Sequence, residues 1–385
     1  MPDGKDKETI MEKIYDSSPL TTGFTARVTS CIPSEGGKYS VTLDRTAFFP
    51  GGGGQECDTG YIGGARVASV TESGGEIFHL TDTPFDVGTE VKCSVDREKR
   101  LSRMASHTGE HIVSALMHRN FGFSNVGFHM GSGDVTADFD GVIDAAQLAA
   151  VEAGANAVIR ENLPVTVSYP DSETLSAMKY RSKLDLTENV RIVSVGDFDR
   201  CACCAPHMPE TGMIGMLVFT GFQHWRGGIR VHMLCGADAV SFCRAAVDRS
   251  DALCRLLSSK PEKLTDSVIR LTEENAALKR AVSDMNAAVN DAVLSGLSRT
   301  GKPLVLRDGR DDMTALRTLA VSAHAINGAP VCVIGGSGRF AVAGEDLKAG
   351  FALLSSRIPV RGGGSDTLIC GSAEGDIGGV FAEVF

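Results

Sequence analysis

Residues 99–120 read KRLSRMASHTGEHIVSALMHRN. Within them Leu101, Met104, His107, His111, Ala115 and His118 recur at steps of three or four, the period of one helix face. The spacing predicts a helix and sets two imidazoles, His107 and His111, one above the other at i and i+4. Upstream, 21–98 is a series of short β-branched and aromatic runs at 24–28, 39–43, 66–70, 77–80 and 91–95, most of them separated by glycine-containing turns. Downstream come strand candidates at 128–130 and 135–138, then an alanine-rich helix at 145–161 that Gly154 weakens. Further strand runs lie at 165–169, 190–195, 215–222 and 229–234. The expected class is α+β, with a barrel-like β-rich subdomain over 1–98 and an α/β domain over 99–240.

A helical linker is expected over 241–297. Leu264, Val268, Leu271, Asn275, Leu278, Val282, Met285, Val289 and Ala292 alternate by four and three, a coiled-coil-like heptad seam with Asn275 at an a position. Such a helix packs on its own chain, folds back as a hairpin, or pairs with another subunit. A small α/β domain is expected over 298–385, with strands at 304–306, 331–334 and 340–343 and helices at 314–327 and 345–355. Glycine clusters at 361–365 and 375–379 read as loops on one side of it.

The 385 residues are 43% hydrophobic and 22% charged, a globular balance. No apolar run approaches a membrane span, and the N-terminus lacks the apolar core of a secretory signal, so the reading is a cytoplasmic protein with no membrane partner. Eleven cysteines form an odd set, with Cys201, Cys203 and Cys204 crowded together; metal binding plus scattered buried thiols fits better than a disulfide framework. Cys93, Cys243, Cys254 and Cys332 sit among apolar residues and read as small core hydrophobes. The net charge of −10 argues against broad attraction to nucleic acid and leaves room for a local contact.

His107 and His111 form one metal-capable pair, and a thiolate followed by His207 forms another; Cys203, Cys201 and Cys204 all permit the spacing. Nitrogen and sulfur donors suit zinc. Four protein ligands are the mark of a structural site, so an enzyme needs a labile ligand or substrate groups added around the metal. His107-Thr108-Gly109-Glu110-His111 also matches the His-x-x-Glu-His signature of inverted zinc peptidases, with Glu110 as general base. That reading expects a downstream glutamate as third ligand and leaves Cys203 and His207 without a role.

Three stretches in order carry a family resemblance. LDRTAFFPGGGGQECDTG (43–60) resembles the glycine-rich motif of alanyl-tRNA synthetase editing domains and of the free-standing alanyl-tRNA editing proteins of the AlaX family. SHTGEHI (106–112) resembles their first zinc motif, and CCAPHMPETGMIG (203–215) their second. The heptad helix and the tail RGGGSDTLICGSA (361–373) resemble the linker and C-terminal domain of full-length synthetases, which points to the long form of AlaX. No class II aminoacylation core is recognisable ahead of residue 20, so the expected activity is ATP-independent editing in trans.

The resemblance implies one zinc per chain on His107, His111, Cys203 and His207, and hydrolysis of the ester of tRNA(Ala) mischarged with serine or glycine. It implies a tRNA partner for the C-terminal domain and a homodimer through that domain or the linker. Thr46 matches a position that recognises the serine hydroxyl, and Asp138 an acidic position near the site. Gly53 and Gly54 offer backbone N–H groups at close range, and Gln55 an amide to place water or the carbonyl. His129 and His224 read as satisfied histidines. The departures Gly51 and Pro206 keep a second reading open, a tRNA-binding or dimer scaffold without turnover.

Overall fold

Two-residue periodicity folds 23–95. In Glu90–Val95 the side chains of Val91, Cys93 and Val95 are buried while their neighbours are exposed. The computed structural model describes residues 11–131, 135–182 and 189–385; the polar stretch 1–10 lies outside the described residues. Six strands, β1 (Gly23–Ser34), β2 (Lys38–Leu43), β3 (Gly60–Ile62), β4 (Ala65–Ser73), β5 (Glu76–Thr81) and β6 (Glu90–Val95), close into a barrel in the order β1-β2-β5-β4-β3-β6. Neighbours run antiparallel throughout. Val28, Val41, Leu43, Phe48, Ile62, Val67 and Ile77 are among the residues of its core.

The barrel feeds α1 (Arg97–Phe121), which Asp96 caps by accepting the amide of Lys99 and Gly122 ends at φ 74°. Every residue from Met104 to Met117 is buried, so the helix runs through the interior and is walled on all sides. One wall is an antiparallel sheet of β7 (Asn125–Met130), β8 (Val135–Phe139), β12 (Leu217–Trp225) and β13 (Gly228–Cys235), in the order β12-β13-β8-β7. Ile229, Val231, Met233 and Cys235 face the helix side. Gly109 permits the close approach, because a Cβ there would lie 2.6 Å from Cys235 Sγ. Beside α1 lies α2 (Ala145–Arg160), whose start carries a reciprocal Asp144–Gln147 capping box. Gly154 is spent on this contact: a Cβ there would press on Leu116 of α1 at 3.3 Å. A three-stranded sheet, β9 (Val165–Ser168), β10 (Ile192–Val195) and β11 (Asp199–Ala202), ends one residue before Cys203.

These elements form one compact unit, Met1–Arg249, and the rest of the chain a second, Ser250–Phe385; the boundary falls inside α3 (Gly236–Leu256). The second unit opens with α4 (Leu264–Ser295), a single helix with no hairpin. Its seam residues Val268, Leu271, Leu278, Val282, Met285 and Val289 are 44–69% exposed, so the seam is not packed on its own chain. Only the C-terminal end is anchored: Val293 and Leu294 join a core with Leu316, Leu319 and Val333, and Asn290 is buried with its amide on Ala315 O. A five-stranded sheet follows, built from β14 (Leu304–Arg307), β15 (Val331–Ile334), β16 (Arg339–Ala343), β17 (Val360–Gly364) and β18 (Leu368–Ala373), in the order β14-β15-β16-β18-β17. Helices α5 (Met313–Asn327), α6 (Leu347–Arg357) and α7 (Ile377–Val384) complete it. The cluster at 361–365 departs from its reading as a loop. Residues 361–364 pair with β18 as an edge strand, where Cβ atoms at Gly362 and Gly364 would collide with the β18 backbone. Of the four cysteines read as core, Cys93, Cys254 and Cys332 are buried and Cys243 is half-buried.

One contact ties barrel to helix. The Arg100 guanidinium on α1 is fully buried and binds Asp58 Oδ2, Ala47 O and Pro19 O, while Asp58 also accepts the amide of Phe49. Removing one partner of a buried pair strands the other charge, at about 3–5 kcal/mol. Asp58→Ala is expected to lower the unfolding free energy of the first unit by that amount in a denaturant titration.

Candidate metal centre

Helix periodicity brings the first two donors together, since His107 and His111 are one turn apart on a buried face of α1. The other two come from the turn after β11. Arg191 fixes it, with Nη1 donating to Cys203 O at 2.8 Å and to Ala205 O at 2.9 Å while Nε pairs with Asp16 at 3.2 Å. One donor atom from each of His107, His111, Cys203 and His207 lies within 4.8 Å of the others. Cys203 Sγ is 3.5 Å from His107 Nε2 and 3.4 Å from His207 Nε2. Tetrahedral zinc with Zn–S of about 2.3 Å and Zn–N of about 2.05 Å would set that S···N edge at about 3.6 Å, so the donor set fits the ion in kind and in spacing. Of the three neighbouring thiols, Cys203 is the one that meets the imidazoles; Cys201 and Cys204 line the cavity beside it.

Two neighbours orient the imidazoles. His107 Nδ1 donates to Gln55 Oε1 at 2.9 Å, which leaves Nε2 as the lone pair facing the cluster. Thr108 Oγ1 gives its proton to Met104 O and receives Met208 N–H, so at 3.1 Å it accepts from His207 Nδ1, and His207 Nε2 is again the free donor atom. Such outer partners fix tautomer and ring plane. Burial and then His107 push the His207 imidazolium down, so the ring is held neutral. Burial raises the Cys203 thiol to about 12, so a cation must displace its proton on binding.

The glycine-rich loop reaches the centre through a tight turn in which Gly52 and Gln55 exchange both backbone hydrogen bonds. The two residues between them, Gly53 and Gly54, have φ of 61° and 88°, the left-handed region such turns require. Gly53 lines the cavity. Gly54 does not; it docks the loop on β7, its carbonyl accepting the Met130 N–H at 3.2 Å, and a Cβ there would strike Phe128 O at 2.4 Å. Gln55 acts on His107, so its position favours orienting a ligand over placing water.

Two expected site residues lie elsewhere. Thr46 is fully buried in the barrel. His79 Nδ1 donates to Val41 O, so Nε2 accepts the Thr46 hydroxyl proton at 2.9 Å, while Phe48 N–H binds the same oxygen. Burial lowers His79 to about 4, which keeps the ring neutral in that role. Thr46 is not on the cavity wall and does not meet a substrate hydroxyl in this conformation. Asp138 is not on the cavity wall: buried in β8, it holds Arg230 bidentately at 2.6 and 2.7 Å, which lowers its carboxyl. Arg230 in turn lies 3.9 Å above the Trp225 ring, a cation–π contact. His129 and His224 are exposed.

The cavity beside the metal centre is about 720 Å³, in the range of sites for drug-sized ligands. Glu110, Asn125, Phe123, Tyr180, Arg181 and Arg191 line it together with His107, His111 and Cys203. Sequence reading had given no role to Thr108, Asn125, Arg181 or Arg191. Thr108 adjoins a ligand and carried a local signal; the others reach the site only through the fold. The peptidase reading needs a carboxylate as third ligand, whereas the described cluster takes Cys203 and His207.

Two segments match family models: 15–99 matches tRNA synthetases class II (A), and 190–230 matches the threonyl and alanyl tRNA synthetase second additional domain. The second match contains Cys203 and His207. Among curated relatives, alanyl-tRNA editing protein Aarsd1 of Bos taurus is 29% identical over 274 residues, 67% of this chain and 62% of that protein. Alanyl-tRNA editing protein AlaX-L of Pyrococcus horikoshii is 28% identical over 242 residues, 60% of each chain. The chain is a homologue of the alanyl-tRNA editing proteins. It spans three-fifths or slightly more of the length of these two relatives. Alanine--tRNA ligase of Halobacterium salinarum is 27% identical over 347 residues, 84% of this chain and 37% of the ligase, so this similarity reaches beyond the first unit.

Thr108→Val and Gln55→Ala each remove a tautomer-fixing partner and leave the four donors in place. Each is expected to weaken zinc binding about 10- to 100-fold, read by competition with a chromogenic chelator.

Proposed function

We propose that the chain is a zinc-dependent aminoacyl-tRNA deacylase that acts in trans, inside the cell, on tRNA(Ala) mischarged with serine or glycine. The observation that carries this reading is the His107, His111, Cys203 and His207 cluster at the wall of a 720 Å³ cavity, on a scaffold related to alanyl-tRNA editing proteins. The cavity exceeds what an amino acid needs and leaves space for part of the nucleotide that carries it. The bond to be broken is an activated ester, so placement and charge stabilisation are enough.

A bound zinc ion supplies Lewis acidity beside the ester. The remaining work falls to the chain. Gly53 presents backbone at the cavity wall, where no side chain bars the approach of an acyl group. Gln55 holds His107, and Thr108 holds His207. Selection of serine over alanine follows if a polar group of the wall goes unpaired when the hydroxyl is missing; with Thr46 committed to the barrel, Tyr180 and Asn189 on the cavity wall supply that partner. Net charge is −10, so tRNA contact is local and salt-sensitive.

The exposed apolar seam of α4 supports a homodimer in which two copies bury these helices against each other. Light scattering on the full-length Leu278→Glu, Met285→Glu double variant is expected to halve the wild-type mass, and an unchanged mass would remove the seam from the interface.

Incubation of the purified protein with Ser-tRNA(Ala), Gly-tRNA(Ala) and Ala-tRNA(Ala) is expected to release serine, and more slowly glycine, while sparing alanine. Cys203→Ala is expected to lose bound zinc and at least about 100-fold in rate, in line with the loss of a site that acts as a unit. Binding of tRNA with no release of any amino acid would favour the scaffold reading and overturn this one.

A further inference from the structure

One carboxylate on the cavity wall is built in place yet has no part in holding the metal centre. Glu110 lies between His107 and His111 on α1, 4% exposed, and lines the same cavity. Its Oε1 accepts two hydrogen bonds, from Ser114 Oγ and from Asn125 Nδ2, the latter at 2.5 Å. Asn125 is itself fixed: its Oδ1 accepts the Gly127 amide at 3.1 Å, which turns Nδ2 toward Glu110 and toward Ser114 Oγ at 3.1 Å. The amide orientation is thus set by the backbone, and the carboxylate is held at one oxygen by two donors. The other oxygen, Oε2, has no protein donor among the described residues and is not one of the buried atoms left without a partner, which places it at the cavity surface that Glu110 lines.

The charges around it are already matched. Arg181, which lines the cavity, gives Nε and Nη2 to Asp199 at 2.9 and 2.7 Å and a further bond to His111 O at 3.2 Å. Arg191 is paired with Asp16 and bound to the Cys203 and Ala205 carbonyls. Glu110 is therefore the acidic residue of the wall that no arginine contacts directly among the described residues: Arg181 acts on it through space, but its N–H groups go to Asp199 and His111 O. Removal of a carboxylate from water is unfavourable unless a cation or donors meet it, and a cationic ligand group is the complement that the second oxygen of Glu110 lacks.

We propose that Glu110, braced by Ser114 and Asn125, is the anchor for the α-ammonium group of an aminoacyl ester. The proposal rests on the deacylase reading for the identity of the ester. Its chemical basis is separate: a protonated amine has no lone pair to offer a metal, so a charged amine entering the cavity meets the free oxygen of Glu110. This defines a substrate class, acyl groups with a free amine, and excludes N-acylated ones. It also separates Glu110 from the general-base role that the His-x-x-Glu-His pattern assigns it. A base serves every ester, whereas an anchor serves only those with an ammonium group.

The test uses the zinc-loaded full-length protein and two pairs of probes. Serinamide and N-acetylserinamide are compared as ligands by calorimetry; Ser-tRNA(Ala) and N-acetyl-Ser-tRNA(Ala) are compared as substrates. Wild type is expected to bind serinamide at least 10-fold more tightly than its acetylated form. Glu110→Gln, similar in shape with zinc content checked, is expected to abolish that preference. The same variant is expected to lower kcat/KM for Ser-tRNA(Ala) by 10-fold or more and to leave the slow acetylated substrate unchanged. Asn125→Ala is expected to give a smaller loss on the free amine alone. Equal losses on both substrates would make Glu110 a base and overturn the anchor. A serinamide preference that survives in Glu110→Gln would overturn it too. If wild type cleaves neither ester but the serinamide preference is present and depends on Glu110, the deacylase reading fails and the ammonium site stands.

Discussion

The Arg100–Asp58 pair is the contact on which the site depends. A guanidinium with no exposure is tolerated only because its charge and donors are met, by Asp58, Ala47 O and Pro19 O. These partners belong to the barrel and to the loop that carries the glycine turn, while Arg100 belongs to the helix that carries His107 and His111. The pair therefore fixes the distance between two elements made by different local rules. Gln55 lies three residues before Asp58, and His107 two turns after Arg100. The His107–Gln55 hydrogen bond of 2.9 Å is a product of that registration.

The second half of the centre is fixed by similar means. Arg191 is paired to Asp16 near the start of the described chain and binds the Cys203 and Ala205 carbonyls, so the turn that carries Cys203 and His207 is held from outside. Thr108 closes the arrangement with one hydroxyl, receiving both His207 Nδ1 and the Met208 amide. The donors arrive from two segments about 90 residues apart, and their orientation depends on groups that bind no metal. Burial lowers His207 and raises the Cys203 thiol, so a metal ion that binds here displaces a proton from sulfur.

The cavity has a different logic from the centre. Its charges are matched in pairs, Arg181 with Asp199 and Arg191 with Asp16, and Glu110 is held by neutral donors. Such a wall discriminates by the charge of what enters it. The second unit is organised on other terms, with an apolar seam left exposed on α4 and an all-glycine stretch of edge strand at 362–364 that offers backbone and no side chains.

Much of this was legible in the chain alone. The three- and four-residue steps of 99–120 marked the long helix and the His107–His111 pair, and alternation marked the strands of 23–95, because both depend on neighbours in sequence. The donor types named the metal class. Pattern reading failed where distance in sequence is large. Thr46 and Asp138 stood at plausible places, yet the fold gave the first to His79 inside the barrel and the second to Arg230 on the sheet. The residues at 361–364 read as a loop because glycine is a poor strand former in isolation, and became a strand because a neighbouring backbone approaches too closely for any Cβ. Asn125, Arg181 and Arg191 carried no local signal. Their roles exist only as directions and distances between segments, and those are set by packing and by the matching of buried charge, which no single stretch of sequence contains.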